Sequence, residues 1–521
     1  NVAIGPSTNI SLVTLVNTLC QGVIFLLMGS ISDIIGRRYF VIGGQIFGVI
    51  GGIIGATSKD VNMLIGASVM QGIGCAVQLS YPLLVMEIIP NKYRGWGQGM
   101  ITLLVLPSLG FGPIVARTIV QNVAGGWRFT YWLATIINGI GLVLFIFFYF
   151  PPNFRELQPD KSRMREVRQI DYIGFVATHH PFVIYVRTIC LLLALTWGGA
   201  TYPWKSGKII ALLIVGCLGL IAFFLYEIFM PLEQPLLPMQ LFKIRNYWIA
   251  VLIGSIAQMS YYALNIFWPQ QCTVLFTTNN ITIGWLSCTT GAALSAGEIL
   301  MGPLFKRLGH MKLQLIASVV GLCLFGGLMA YANESREGLA IAATAFTGFM
   351  VGWTELITIV TAGLVVPPDQ IGVAQAFFGS TRAVTGTVAS CIYLAIYGGE
   401  IATKLPSHVT AHAVAAGLPE SSVSDLLTAL PNGTAAAFEA VAGVNSTILA
   451  AIGAGMKSGY SASYSTVYLS SLAFGGTALI ASFFTSDIDK YLTDFVNKTV
   501  AGKEMRTEHE HHEKKPGIDD A

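Results

Sequence analysis

Three charged side chains interrupt long apolar stretches of this sequence. Glu298 and Glu355 lie well within apolar runs, and Arg382 lies in the run that follows. A low-dielectric environment disfavours the charged form of a carboxyl group, so either glutamate could take up and release a proton. Arg382 could instead hold one of them ionised. A static polar clamp between helices is the alternative, and the sequence does not show which residues pair.

A second set of residues could bind an organic molecule rather than a proton. Polar and aromatic side chains recur near helical spacing in two apolar runs and could line an amphipathic cavity with hydrogen-bond donors and stacking faces. Taken singly, each is more often a packing residue than a ligand contact. The set comprises Gln71, Gln78, Tyr81, Gln258, Tyr261, Tyr262, Asn265 and Trp268.

The elements that carry these residues are membrane-spanning helices. Hydrophobic residues make up 54% of the chain and charged residues 11%, whereas a soluble domain carries about 25% charged residues. Backbone polar groups in lipid need internal partners, so apolar runs of about 20 residues predict helices. We predict an all-α polytopic membrane protein with about thirteen spans, at 10–31, 39–58, 63–89, 98–120, 129–150, 172–198, 208–230, 246–268, 281–303, 312–331, 338–365, 371–397 and 464–485.

Charge sets the orientation. If the loop with Asp33, Arg37 and Arg38 is cytoplasmic, most Lys and Arg residues, including Lys92, Lys306 and Arg307, fall inside, as the positive-inside rule requires. Five of six glycosylation sequons then fall outside. Asn432 and Asn445 are the strongest of these, because they lie in a long segment at 398–463.

This topology gives an outside amino terminus and an odd number of spans. We therefore expect the first of fourteen helices to be missing before Asn1. The domains predicted are an amino-terminal bundle (1–150), a basic loop with two linker helices (151–245), a carboxy-terminal bundle (246–485) with external loop 398–463 and a short surface helix, and a disordered cytoplasmic tail (486–521). His179, His180, Pro181 and Arg187 fit the span 172–198 poorly and indicate either a broken helix or a gene-model error.

The segment Gly29-x-x-x-Asp33-x-x-Gly36-Arg37-Arg38 resembles the cytoplasmic signature of the major facilitator superfamily, with Ile34 in a position that is usually basic. The resemblance implies two six-helix bundles around a midplane site, here with two extra central helices. It also implies that these residues form a gating clasp, with Asp33 capping a helix or pairing with an arginine. The alternative is that Arg37 and Arg38 only anchor the topology.

Two further motifs bear on the type of transporter. Gly110-Phe-Gly112-Pro113 resembles the kinked element of drug:proton antiporters in this superfamily, although Ala116 replaces a glycine of the fuller motif. A generic kinked span is the alternative. Near Gln71, the family often has an arginine implicated in proton transfer, and Ser68 occupies its position. Proton coupling would therefore need other groups.

Closer still, the chain resembles the fungal branch of fourteen-span facilitators that holds trichothecene efflux pumps and siderophore transporters. The segments that carry this resemblance are GPSTNIS (5–11), SDIIGRRYF (32–40), IPNKYRG (89–95), GWR (126–128) and LTWGG (195–199). It implies a secondary active transporter that exports a mycotoxin, another metabolite or a drug by proton antiport. Siderophore uptake is one alternative, and a non-transporting receptor or inactive truncated product is another.

Other functions find no support in the sequence. It contains no nucleophile elbow, phosphate-binding loop or Cys/His metal spacing, so we predict no enzyme, no cofactor and no metal site. The expected partners are a small-molecule substrate, protons as the coupling ion and the lipid bilayer, but no nucleic acid. We expect a monomer in the plasma membrane, with a vacuolar or vesicular membrane as the alternative.

Overall fold

The computed structural model describes residues 10–150, 190, 191, 193, 194, 197, 198, 202–229, 239–432 and 434–494, with some side chains in these ranges left undescribed. Within them the chain is almost entirely helical, and its β-structure is limited to a single bridge between Gly198 and Tyr202. The basic loop, most of the predicted span 172–198 and residues 495–521 of the predicted tail lie outside the described residues.

The α-helices of the described ranges fall into three groups along the chain. The first group is α1 (Ile10–Ile35), α2 (Arg37–Thr57), α3 (Val61–Gln78), α4 (Tyr81–Ile88), α5 (Arg94–Leu109), α6 (Gly112–Asn122) and α7 (Trp127–Phe148). The linker region contributes α8 (Gly207–Phe229). The last group is α9 (Arg245–Gln271), α10 (Asn280–Leu308), α11 (Met311–Leu328), α12 (Glu337–Leu364), α13 (Ile371–Ala415), α14 (Val423–Ala429), α15 (Ala435–Glu439) and α16 (Ser446–Phe483).

These helices match the predicted spans. Every predicted run except 172–198 coincides with described helices. Nine helical segments of the described residues combine the length and hydropathy needed to cross a membrane, while α1 and α8 contain shorter apolar stretches. At 29 residues α10 is also long enough to span a bilayer, but Ser, Thr and Gly residues and Glu298 make it less apolar. Such a polar helix is expected to face other helices rather than lipid.

Local sequence explains where several helices begin. Asp60, Asn279 and Asn445 each accept hydrogen bonds from backbone amides of the first turn that follows, which satisfies donors that have no partner inside the helix. Gly36 is the only residue between α1 and α2. Its φ of 101° is a backbone conformation that residues with a Cβ rarely adopt. Gly36 therefore lets the chain pass from α1 into α2 through a single residue.

The helices form two bundles. In the first, α2 packs against both α3 and α7, and α1 packs against α3. In the second, α9, α12, α13 and α16 pack around one large apolar core, with α10 against α12 and α11 against α12 and α16. The bundles meet along two seams, one between α1 and α13 and the other between α10 and the pair α5–α6. Any path between the bundles must therefore pass between these seams.

The expected external loop is mostly helical, and this differs from the prediction. Helix α13 has 45 residues and α16 has 38, which at 1.5 Å per residue gives lengths of about 68 and 57 Å. Both exceed the ~30 Å hydrocarbon core. Their extended ends and the short helices α14 and α15 enclose a separate apolar cluster that includes Val409, Leu426 and Ile452. We call this part, residues 398–463, the helical extension.

Candidate functional site

Glu298 lies at the seam between the bundles and is almost fully buried, with 3% of its surface exposed. Its Oε2 accepts hydrogen bonds from the hydroxyl of Thr102 and from Nε2 of Gln98, the latter at 3.3 Å. Both donors belong to α5, in the opposite bundle. Among the described residues Glu298 has no ion pair, so its hydrogen-bond partners there are neutral groups. The carboxyl group thus connects the two bundles through neutral hydrogen bonds.

Glycines allow this contact, because α5 and α10 approach each other at backbone distance. A Cβ added to Gly99 would lie 2.8 Å from the carbonyl oxygen of Glu298, and one added to Gly302 would lie 2.7 Å from that of Gly95. Small residues at such positions let membrane helices pack closely. Gly95, Gly99, Gln98 and Thr102 form two i, i+4 pairs on α5, a pattern that sequence reasoning could have noticed but did not.

The second glutamate is paired with arginine inside one bundle. Glu355 on α12 lies 2.6 Å from Nη2 of Arg382 on α13, and the same arginine donates to Oε1 of Gln258 on α9 at 2.6 Å. The Glu355 and Arg382 side chains are 6% and 16% exposed. A neutralised and hydrogen-bonded pair is the form in which charges are tolerated at membrane depth. Three of the predicted residues therefore form one cluster, and Glu298 lies outside it.

Arg382 also faces the seam between α1 and α13. A small cavity of about 50 Å³ at this seam is lined by Arg382, by Phe25 and Met28 of α1 and by Leu83 of α4. The helices touch closely here, since a Cβ on Gly22 would lie 3.0 Å from Val384. The arginine therefore lies at the boundary between the bundles, although its two polar partners both belong to the second bundle.

Tyr81 links the first bundle to the site. Its hydroxyl oxygen accepts a hydrogen bond from Nε2 of Gln98 at 3.3 Å, the same nitrogen that donates to Glu298. The predicted Gln78 lies elsewhere: its Nε2 donates to Oδ1 of Asn138 at 2.8 Å and to Oε1 of Gln45 at 3.1 Å, which joins α2, α3 and α7. Gln78 is therefore a tie within the first bundle.

The remaining cavity candidates are not brought together with the glutamates by any described hydrogen bond. Gln71 is half-buried and packs near Gly51 of α2. Asn265 is exposed. Asn445 is exposed and caps α16 through its side-chain oxygen, and the side chain of Asn432 lies outside what the structure describes. Glycosylation of both stays a prediction.

The Gly-Pro element interrupts the helix that faces α10. Helix α5 ends at Leu109, and α6 begins at Gly112 with Pro113 in its first turn. A Cβ on Gly110 would lie 3.4 Å from the Cα of Ala292 on α10. The break therefore occurs where the two bundles are in close backbone contact, beside the same helix, α10, that carries Glu298.

The signature segment spans the junction of α1 and α2 and contacts the carboxyl end of α7. Arg38 donates to the carbonyl oxygen of Ile146 at 2.8 Å, and its guanidinium lies 4.1 Å from the ring centre of Phe150. It thus binds the carboxyl end of α7, where the helix dipole favours a cation. Arg37 is half-buried. The environment of Gly29 and the side chain of Asp33 are outside the described set, so the gating clasp remains a prediction.

Sequence reasoning assigned Arg94 no contact, although it lies in the segment 89–95 that carries the family resemblance. This residue is 2% exposed, and its Nη1 donates to the carbonyl oxygen of Gly363 at 2.9 Å. Arg94 begins α5 in the first bundle, and Gly363 ends α12 in the second. A buried cation at a helix carboxyl end is electrostatically favourable. Arg94 therefore holds the bundles together at the same end as the signature loop.

A segment after the last span strengthens this contact. Lys92 forms an ion pair with Asp494 and donates its backbone amide to the Thr493 carbonyl oxygen at 3.0 Å. Further back, Asp489 accepts from the backbone amide of His310 at 2.7 Å, between α10 and α11. Residues 486–494 thus run across the second bundle to the first. We call them the strap.

Two solved transporters share this architecture, which defines the fold class. The human organic anion transporter MFSD10 matches with a TM-score of 0.51 and 10% identity, over 89% of this chain and 83% of its own. The proton:xylose symporter XylE matches with a TM-score of 0.50 and 12% identity, over 92% and 86% of the two chains. At such low identity the likeness shows the fold alone, and it confirms the predicted major facilitator fold.

The particular family follows from sequence comparison. A family model of the fungal trichothecene efflux pump matches residues 2–512, and the chain belongs to this family. The trichothecene efflux pump of Fusarium sporotrichioides is 31% identical over 95% of this chain and 82% of its own length. That of Trichoderma arundinaceum is also 31% identical over the same shares. These matches confirm the predicted family and the prediction that its members are transporters rather than enzymes.

Proposed function

We propose that this protein exports a small, largely apolar organic molecule such as a fungal secondary metabolite, in exchange for protons. The family and its relatives support export rather than uptake, since the relatives from Fusarium and Trichoderma are named as efflux pumps. The observation that carries the proton part of the proposal is Glu298, a buried carboxyl group that bridges the bundles through neutral donors. The working membrane in this proposal is the plasma membrane.

Glu298 is the proton carrier in this scheme. As a carboxylate it accepts hydrogen bonds from Thr102 and Gln98 of the opposite bundle, and hydrogen bonds to a charged acceptor are about twice as strong as neutral ones. Protonation removes the charge and converts one oxygen into a donor, which weakens the link between α5 and α10. Proton uptake at this position therefore loosens one seam.

Glu355 and Arg382 have a different role. Their ion pair and the bond to Gln258 hold α9, α12 and α13 together within the second bundle. Since Arg382 also lines the α1–α13 seam, the pair keeps a fixed positive group beside the path between the bundles. We propose that it orients polar groups of the substrate, while the apolar and aromatic lining accommodates the rest.

Alternating access follows from the two seams. Arg94 and the strap hold the bundles together at the end that carries Arg38, which we propose is cytoplasmic. For the path to open there, the contacts of Arg94 with Gly363 and of Lys92 with Asp494 must break. The bundles then rock about the close contact of α1 with α13, while the contact of α5 with α10 separates.

The test is transport by the purified protein in liposomes, with a trichothecene as the trial substrate and an imposed pH gradient. Glu298→Gln is expected to abolish gradient-driven uptake while it retains substrate exchange without a gradient, because the amide keeps the shape but cannot carry a proton. The matched control is Glu400→Gln, because Glu400 is an acidic residue of the helical extension, paired with Lys404 and far from Glu298 in sequence.

Each outcome is decisive. The proposal is supported if Glu298→Gln loses gradient-driven transport but retains exchange, while Glu400→Gln keeps both. If Glu298→Gln keeps its full dependence on the pH gradient, Glu298 is not the proton carrier. If the unmodified protein moves no trichothecene and no other apolar metabolite under any gradient, the export proposal itself is wrong.

A further inference from the structure

A cavity of about 590 Å³ opens where α5 and α10 leave the seam at the end that carries the strap. Its floor is the tight contact around Gly302, and its walls include Tyr93 and Trp96 on one side and Pro303 on the other. Pockets of this size hold small organic ligands or parts of a lipid. Glu298 does not line the cavity and lies about one helical turn before Gly302 on α10.

Cations surround the mouth of this cavity. Lys92, Lys306 and Arg307 all line it. Lys92 is paired with Asp494, whose side chain is 80% exposed. Lys306 and Arg307 are both exposed and form no ion pair with any residue that the structure describes. Among the described residues, the mouth therefore carries more positive charge than its neighbours offset, and this charge is complementary to an anion.

Apolar surface continues from the cavity along both helices. Trp96, Met100 and Leu103 lie on one face of α5, and Leu300 and Leu304 lie on one face of α10, all of them exposed. Exposed apolar faces on spanning helices meet lipid tails. Tyr93 and Trp96, exposed at the charged end, are the residue types enriched where a bilayer meets water. The cavity therefore opens at the level of lipid headgroups, above a surface suited to acyl chains.

We propose that this cavity binds an anionic phospholipid. The phosphate and any further acidic group of the headgroup contact Lys306 and Arg307, its glycerol region packs against Trp96 and Tyr93, and its chains follow the apolar faces of α5 and α10. Basic pockets between transmembrane helices on the cytoplasmic side are known to bind such headgroups. Because α5 and α10 belong to different bundles, the lipid bridges the seam and stabilises its closed form.

Binding can be measured without any transport assay, so this proposal can fail independently of the proposed function. The full-length protein, purified in detergent, is titrated with phosphatidylserine and bound lipid is counted by native mass spectrometry. Each Lys or Arg near an anionic surface contributes about 1 kcal/mol, so K306Q/R307Q is expected to weaken binding roughly 30-fold. The matched control is K243Q/R245Q, which removes two exposed charges at the start of α9, outside the cavity.

A second measurement reports the position of the lipid. Phosphatidylserine with brominated chains quenches nearby tryptophans, and it is expected to quench more strongly than brominated phosphatidylcholine. W96F should remove this difference, whereas W285F, an exposed tryptophan elsewhere on α10, should not. The single variants K306Q and R307Q, each expected to weaken binding about fivefold, replace the double variant if it does not fold.

Several results would overturn the proposal. Equal weakening by K306Q/R307Q and K243Q/R245Q would mean diffuse attraction to the whole basic surface. Equal binding of phosphatidylcholine would mean no recognition of charge. Competition by soluble glycerophosphoserine or inorganic phosphate at the same concentration as the lipid would mean a site for a free anion rather than for a phospholipid.

Discussion

Replacement of Gly99 by alanine tests the closeness of the two bundles more directly than any change of a charged residue. The added Cβ would lie 2.8 Å from the carbonyl oxygen of Glu298, whereas an ordinary contact begins at 3.4 Å. The obstacle is backbone, so a rotamer change cannot relieve it. Helix α5 or α10 must move by about 0.6 Å, a shift that also lengthens the bonds from Thr102 and Gln98 to Glu298.

The expected magnitude follows from the cost of overpacking. Inserting a methyl group into a close-packed contact typically costs about 1–3 kcal/mol. This cost falls on the state with the seam closed, because the clash disappears when the helices separate. The population of that state relative to an open one should therefore fall by roughly 5-fold to 150-fold. A transport cycle that requires both states should slow by a comparable factor.

The assay compares Gly99→Ala with Gly139→Ala in two measurements: the initial rate of transport in liposomes and the temperature of half-inactivation in detergent. A Cβ on Gly139, in the middle of α7, meets no atom within 4 Å. Both changes gain the same intrinsic helix propensity, up to about 1 kcal/mol, so the difference between them isolates the seam. If Gly99→Ala matches Gly139→Ala in rate and in inactivation temperature, the helices are not in backbone contact in the working protein.

The remaining predictions concern other contacts of the same framework. Glu355→Gln alone should destabilise the protein by about 3–5 kcal/mol, because Arg382 is left buried without its counter-charge, while replacement of both by methionine should cost less; thermal inactivation of the two variants and the parent checks this order. Arg94→Gln should cost about 1.5–3 kcal/mol by loss of a charged hydrogen bond and should raise the accessibility of the strap to protease. Asp494→Asn removes an exposed ion pair with Lys92 and should leave the temperature of half-inactivation unchanged at physiological salt, because solvent screens such pairs. Leu426→Ala, in the core of the helical extension, should cost about 2–5 kcal/mol locally; limited proteolysis of 398–463 should accelerate while transport in liposomes is unchanged, and a parallel loss of transport would contradict the separation of the two cores.

The spanning helices were predictable because one physical requirement dominates them. A run of about 20 apolar residues must be helical in lipid, and α9, predicted as 246–268, extends over Arg245–Gln271. The helical extension was not predictable in this way. Its part of α13 is rich in Ala and carries Glu400, Lys404 and two His residues, so its hydropathy is lower than that of a span. Its stability comes from contacts such as those of Leu426 with the ends of α13 and α16, which no helical periodicity indicates.

The partners of the charged residues were harder to predict than the residues themselves. Glu355, Arg382 and Glu298 stand out in sequence because charge is costly at membrane depth. Their pairing depends on how each helix is rotated about its own axis, which no local pattern fixes. Arg382 meets Gln258 from 124 positions away, and Gln98 meets Glu298 from 200 positions away.

The difference between these two sites indicates which glutamate can couple proton movement to conformational change. A proton on Glu355 would break an ion pair with Arg382 that lies within one bundle. The free energy of proton binding there would distort that bundle and would not act between the two bundles. A proton on Glu298 changes bonds to Thr102 and Gln98 that cross between the bundles. Only a bond that differs between the open and closed states can shift the equilibrium between them. In the proposed proton exchange, the seam between α5 and α10 is therefore where proton binding drives the bundles apart, and its glycines keep the Glu298 carboxyl group within reach of Thr102 and Gln98.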